Sequence, residues 1–146
     1  MSELSPRIIS GGSFTDSRGT LRFNNKLDLV DFRRFYIVKN APNVVRAWQA
    51  HKNECKIFLP LSGSFTVVLV AVDDWENPSK DLPQSVFHLT AEEQTALFIP
   101  GGFANGFTSS GEDAELLIFS SSTLEESSED DFRYDSSLWY NWNKKG

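Results

Sequence analysis

Three side chains in the stretch 46–63, RAWQAHKNECKIFLPLSG, have the types and spacing of a small reactive cluster: Gln49, His51 and Lys56. An imidazole takes a proton near neutral pH, an ammonium steadies a developing oxyanion, and an amide orients either partner. The stretch reads as two strands joined by a short polar turn. Side chains alternate faces along a strand, so Gln49 and His51 look the same way. Lys56 opens the second strand, which runs to a Ser-Gly turn. The neighbouring Cys55 alternates to the opposite face and is not read as a nucleophile.

The elements that must hold this cluster are strands. RIIS is a lead-in strand, and FTDSRGTLRF is a short strand broken by Asp16-Ser17-Arg18-Gly19, a turn-forming tetrad. RRFYIVKN is a strand by its aromatic and β-branched content. KIFLPLSG and SFTVVLVAVDD read as a hairpin around Ser62-Gly63-Ser64. VFHLT, TALFIPGG, GFTSS and AELLIFSSS follow as short strands between turn signals, the pattern of an all-β sandwich or barrel. Residues 26–33 (KLDLVDFR) read as one helical turn or an irregular connection, and the helix candidates are short, at 26–32 and 125–134. The aromatic tail, FRYDSSLWYNWNKKG, is expected to pack through Trp139, Tyr140 and Trp142. His88 alternates with Val86 and reads as an ordinary strand residue.

Composition narrows the function classes. The 146 residues fit one domain over 1–146, and the net charge of −6 disfavours binding to a nucleic-acid backbone. The acid is concentrated in EESSEDD, residues 125–131, read as a solvated run. Arg33, Arg34 and Arg46 leave room for a local pocket that takes a small anion. A single cysteine precludes an internal disulfide. No apolar run approaches the roughly 20 residues of a membrane helix, and the start lacks a signal-peptide core, so no membrane association is expected and the cytoplasm is the expected location.

Two segments are similar in spacing to the cupin family, a double-sheet jelly roll. The family pattern H-x-H, a short gap, E, x6, G falls on Gln49-Ala50-His51, Lys56 and Gly63. The pattern P-x-G-x-x-H falls on Pro100-Gly101-Gly102-Phe103-Ala104-Asn105. The four metal positions of that family are thus Gln49, His51, Lys56 and Asn105. An ammonium opposes a cation, and only the imidazole is an ordinary ligand, so no metal or cofactor is expected.

From about residue 14 to 142 the chain resembles the dTDP-4-dehydrorhamnose 3,5-epimerases and their short relatives, the dTDP-sugar 3,4-ketoisomerases. The D-x-R-G of the epimerases looks like Asp16-Ser17-Arg18-Gly19, and their R-G-L-H-Y-Q strand looks like Arg46-Ala47-Trp48-Gln49-Ala50-His51. Their K-L-V…G…V-D run resembles Lys56-Ile57-Phe58…Gly63…Val72-Asp73. Their P-x-G-F-A-H-G-F loop resembles Pro100-Gly101-Gly102-Phe103-Ala104-Asn105-Gly106-Phe107. Their W-N-D-P…W resembles Arg133-Tyr134-Asp135-Ser136…Trp142. Arg34-Phe35-Tyr36 is similar to the R-x-Y strand of the ketoisomerases, whose R-G-x-H-A-H-K looks like residues 46–52.

The resemblance implies an all-β cupin jelly roll with short peripheral helices and a homodimer. It also implies metal-free chemistry on a nucleotide-diphosphate sugar, a dTDP-4-keto-6-deoxyhexose, in surface-polysaccharide precursor synthesis. His51 would move the proton beside the ketone, Lys56 would stabilise the enolate, and Asp135 would orient its basic partner. Arg18 and Arg46 would hold the diphosphate, with Gln49, Asp73 and Asn105 also at the substrate. The chain departs from the epimerases where it matters. Gln49 stands at the base histidine, Asn105 at the loop histidine, and Phe119 at the tyrosine of the 115–121 strand. A nucleotide-sugar-binding cupin that has lost its base is the alternative expectation.

Overall fold

Two long strands organise the fold of residues 4–143, the part of the chain that the computed structural model describes. β6 (Lys56–Ala71) and β9 (Phe103–Ser120) run antiparallel over their whole length, with Lys56 opposite Ser120 and Ala71 opposite Phe103. The first half of β6 carries β8 (Ala96–Ile99) and through it β1 (Arg7–Ile9), while the second half of β9 carries β4 (Arg34–Asn40). These form one layer. In the other layer the second half of β6 pairs with β7 (Gln84–Thr90), and the first half of β9 pairs with β5 (Val45–Ala50). The two-residue β10 (Phe132–Arg133) extends β5 at the edge. The result is an all-β fold, as the strand pattern predicts, and the jelly roll that the cupin resemblance implies. A hairpin of β2 (Gly12–Asp16) and β3 (Gly19–Phe23) forms a separate two-stranded sheet around the expected turn at Asp16 to Gly19.

Side chains from both layers meet in a central core that includes Phe58, Phe65, Val67, Leu69, Phe107, Leu116 and Ile118. The continuous apolar run in β6 has a separate cause. Val68 and Val70 point out of the second layer and are covered by the tail, where Trp139 packs with Trp48 and Ala104. Ile57 and Leu59 point out of the first layer under Leu27 and Phe32. Strands covered on both faces lose polar alternation and read as unbroken hydrophobic runs.

Three expectations are corrected. Ser62-Gly63-Ser64 is not a hairpin turn. β6 passes straight through it with register shifts on either side, and Gly63, at φ 74°, sits where a Cβ would meet that of Ala114 at 2.9 Å. Ser-Gly therefore marks a bulge, which bends the strand from one layer into the next. GFTSS and AELLIFSSS likewise belong to one strand, β9. Finally, the helix candidate at 26–32 does not form and the irregular connection holds instead, because Asp28 Oδ1 accepts the Val30 N–H and the Leu29 carbonyl accepts that of Phe32. Such local side-chain bonds compete with a helix.

The other helix candidate is real but shorter, α1 (Leu124–Ser128). Thr123 and Glu126 form a capping box at its start, and two glutamates complement the dipole of its first turn. Among the described residues no helix is long and apolar enough to cross a membrane.

Candidate active site

Between the layers opens a cavity of about 750 Å³, within the range of small-molecule sites. Its wall is assembled strand by strand. β4 contributes Arg34, Tyr36 and Val38, and the alternate residues Phe35 and Ile37 face outward. β5 contributes Arg46, Trp48 and Gln49. Lys56 and Phe58 come from β6, and Asn105, Phe107 and Ile118 from β9. The segment after α1 closes the mouth with Asp131, Arg133 and Tyr134.

Lys56 is 3% exposed, and its Nζ donates to Gln49 Oε1 at 3.0 Å. The same amide donates from Nε2 to Asp131 Oδ1 at 3.2 Å, and Arg133 Nε donates to that oxygen at 2.8 Å. Gln49 is thus fixed in orientation by a cation on one side and an anion on the other. Burial pushes the Lys56 ammonium down to about 8, against the upward pull of the Glu54 carboxylate. Burial, reinforced by Glu54, pushes the Tyr36 phenol up to about 12.

Three guanidinium groups and one ammonium face a single carboxylate, Asp131, across this cavity. Arg46 is held by its Nε on Asn40 Oδ1 at 2.9 Å, and the Asn40 amide is itself spent on the Val44 carbonyl and Ser109. Arg34 donates to the Ser122 carbonyl and lies over the Tyr36 ring. Preorganised arginines of this kind suit a bidentate anion such as a phosphate.

His51 sits outside this wall. It is 3% exposed and does not line the cavity. Nδ1 bonds to the Asp130 carbonyl, so in the neutral ring it carries the proton and leaves a lone pair on Nε2, which has no partner. Burial and the nearby Lys56 lower its pKa, keeping the imidazole neutral. Asn105, 5% exposed, lines the cavity and donates to the Gln49 carbonyl at 3.2 Å.

The remaining expected residues are not gathered here. Arg18 is exposed at the β2–β3 turn and pairs with Asp16 at 2.6 Å. Asp73 accepts from Ser79 and organises the loop after β6. Asp135 accepts the Ser137 N–H and caps its own turn. Asp130, Asp131, Arg133, Arg34 and Tyr36 are site residues that the motif comparison did not assign to the substrate. Alternation along RRFYIVKN was the available signal for the last two. The acidic run is also corrected: Asp130 is half-buried, and its carboxylate accepts the N–H groups of Lys52, Asn53 and Glu54 at 2.7, 2.9 and 3.1 Å.

Among the described residues no three His, Cys, Asp or Glu side chains group as metal ligands. At the cupin metal positions two amides and a buried ammonium do not fit a divalent cation.

Solved structures share this architecture. A dTDP-4-dehydrorhamnose 3,5-epimerase from Elizabethkingia anophelis superposes with a TM-score of 0.72 at 23% identity, covering 96% of this chain and 82% of its own. ChmJ, a 3'-monoepimerase from Streptomyces bikiniensis solved with dTDP-quinovose, gives 0.74 at 17%, covering 93% and 74%. QdtA, a sugar 3,4-ketoisomerase from Thermoanaerobacterium thermosaccharolyticum solved with TDP, gives 0.67 at 19%, covering 88% of each chain. At these identities the likeness establishes the fold. No curated protein matches in sequence. The sequence profile of the dTDP-4-dehydrorhamnose 3,5-epimerase family matches residues 8–145, and the chain belongs to that family.

Proposed function

We propose that the protein is a metal-independent nucleotide-sugar epimerase or isomerase. Its substrate is a dTDP-4-keto-6-deoxyhexose, and it moves a proton at a carbon beside the ketone, in the cytoplasm, for surface-polysaccharide precursors. The observation that carries this reading is the buried Lys56 ammonium on the wall of a cavity rich in arginine. A carbon acid beside a carbonyl ionises only if its oxyanion meets a preorganised positive charge, and Lys56 is such a charge in a dry site. Arg34, Arg46 and Arg133 supply the fork-shaped donors that a diphosphate needs.

His51 moves the proton through Nε2, whose lone pair the Nδ1 bond to Asp130 leaves free. Substrate entry must open a path to this buried ring. Arg18 and Asp135 do not line the cavity of their own chain; in this reading Arg18 comes to the diphosphate from the exposed hairpin of a second protomer, and the Asp135 turn must close toward the cavity. A homodimer is supported by the exposed Phe35 and Ile37 on β4, whose second edge has no strand partner among the described residues, and by the exposed Phe14 and Leu21 of the hairpin.

Incubation with dTDP-4-keto-6-deoxyglucose tests the reading. A new isomer in the proton spectrum, abolished by His51→Asn with ligand affinity retained, is the expected result. Tight binding with no isomer from the wild type would leave a binding protein instead.

A further inference from the structure

Glu54 is a fully buried acid that the proposed chemistry has not used. It lies in the turn between β5 and β6, two residues before Lys56, with a side chain 0% exposed. Oε2 accepts the Ser120 hydroxyl at 2.7 Å and stands 3.8 Å from the Arg34 guanidinium. Oε1 has no hydrogen bond at all and faces His51 Nδ1 at 3.7 Å. On the far side of the same imidazole, Nε2 is also without a partner. A buried carboxylate with a vacant oxygen costs stability, and two orphaned atoms on one pair of side chains are unusual in a native interior. Such an arrangement is compensated when a charge appears during function.

We propose that Glu54 is the positioning carboxylate of this site: the Asp130 carbonyl holds Nδ1 in the resting ring, and Glu54 stabilises the imidazolium that forms when Nε2 takes the substrate proton. The inference rests on the His51 and Lys56 roles given above. In the step itself, the C–H bond beside the ketone breaks and its proton passes to Nε2. The electron pair forms the enolate, whose oxygen meets the Lys56 ammonium. The ring, now positive, faces the vacant Oε1. Return of the proton to carbon restores the neutral imidazole. Asp135, the acid that the motif comparison suggests for this task, caps its own turn and is not among the charged groups that act on His51.

The environment of Glu54 fixes the sign of its effect. Arg34 faces it directly from β4; Tyr36 on β4 and Lys56 on β6 feel its charge, and Arg133 of β10 acts on the same two groups. From the segment after α1, Asp130 acts on His51, and Asp131 on Lys56 and Tyr36. Glu54 raises the proton affinity of both His51 and Lys56, opposing the larger effect of burial. Neutralising it lowers both.

The test is the pH profile of substrate C–H exchange in deuterated water for the wild type, Glu54→Gln and Glu54→Asp, with dTDP-4-keto-6-deoxyglucose as the probe. The His51 titration is followed in parallel by imidazole nitrogen NMR. Glu54→Gln is expected to slow exchange about 10- to 100-fold, the span of a supporting group around a reactive site. It also moves both limbs of the profile and the His51 titration to lower pH. Glu54→Asp recovers part of the rate, and if the Gln variant does not fold, the Asp variant is expected to show smaller shifts of the same sign. A slower exchange with both limbs and the His51 titration unmoved would make Glu54 a purely structural acid and overturn the proposal. Absence of exchange in the wild type would instead sink the functional reading, and the His51 titration would still decide whether Glu54 and His51 are paired.

Discussion

Lys56 and Gln49 are joined by a 3.0 Å hydrogen bond, with the amide oxygen accepting from a buried ammonium at the position where the epimerase motif has its base histidine. The residue that replaces a base has become the acceptor that holds the cation. In the proposed reading the catalytic burden therefore falls on Lys56 and on the His51 imidazole, just beyond the end of β5.

Lys56→Met removes the charge that is proposed to meet the enolate. Loss of one oxyanion stabiliser typically lowers turnover about 100- to 1,000-fold. Some stability is expected to be lost as well, because the change leaves the buried Glu54 carboxylate with one cation fewer, and removing one partner of a buried charge pair is costly. Exchange kinetics beside a thermal melt check both halves.

Activity should be bell-shaped in pH. His51 must be neutral, and burial lowers its pKa, so activity falls on the acid side, below the ordinary imidazole range. Lys56 must be charged, so activity falls as pH rises through about 8. Gln49→Leu removes the acceptor from the ammonium and is expected to move the alkaline limb below that of the wild type. A limb that stays in place would detach Lys56 from it.

Stability carries the opposite sign for the same lysine. The unfolded chain holds the Lys56 proton up to 10.5 and the folded chain only to about 8. Between those values the unfolded state binds more protons, so stability rises with pH, by about 3 kcal/mol at most. Urea titrations at pH 8 and 10 should show this rise in the wild type and a smaller one in Lys56→Met.

Arg46→Ala leaves Asn40 intact and removes one forked donor from the cavity. A lost charge-assisted bond of about 1.5–3 kcal/mol predicts a 10- to 100-fold weaker affinity for dTDP by calorimetry. The same change should leave affinity for thymidine, which lacks phosphate, nearly unaltered.

Asp130→Asn is expected to destabilise the protein by about 2 kcal/mol, because an amide oxygen replaces a carboxylate shared by three backbone N–H groups. Melting measured against the exposed control Glu129→Gln isolates that effect.

Much of the architecture was legible from periodicity. RRFYIVKN, VVRAWQAHK and VFHLT all became strands, and the tail aromatics packed as their number implied. Ser-Gly misled because turns and bulges draw on the same backbone freedom, and the choice at Gly63 is made by the approach of Ala114 from another strand. Motif spacing pointed to four residues that line the cavity, Arg46, Gln49, Lys56 and Asn105, although alternation alone would set Arg46 and Gln49 on opposite faces; the register shift between them in β5 brings both to the wall. The site was not legible at Asp130 and Asp131. A carboxylate that caps a loop 76 to 78 residues away looks, in sequence, like any other acid in a charged run.

The most direct test of the account is deuterium incorporation into dTDP-4-keto-6-deoxyglucose in the presence of the wild-type protein, followed by proton NMR. The account predicts loss of signal at a carbon adjacent to the ketone. Loss at C3 alone would assign a 3-epimerase or ketoisomerase, and loss at both C3 and C5 a 3,5-epimerase. Full retention of every sugar proton, with ligand-induced shifts in the protein spectrum, would contradict the account and leave a cavity that binds nucleotide sugars without enolising them.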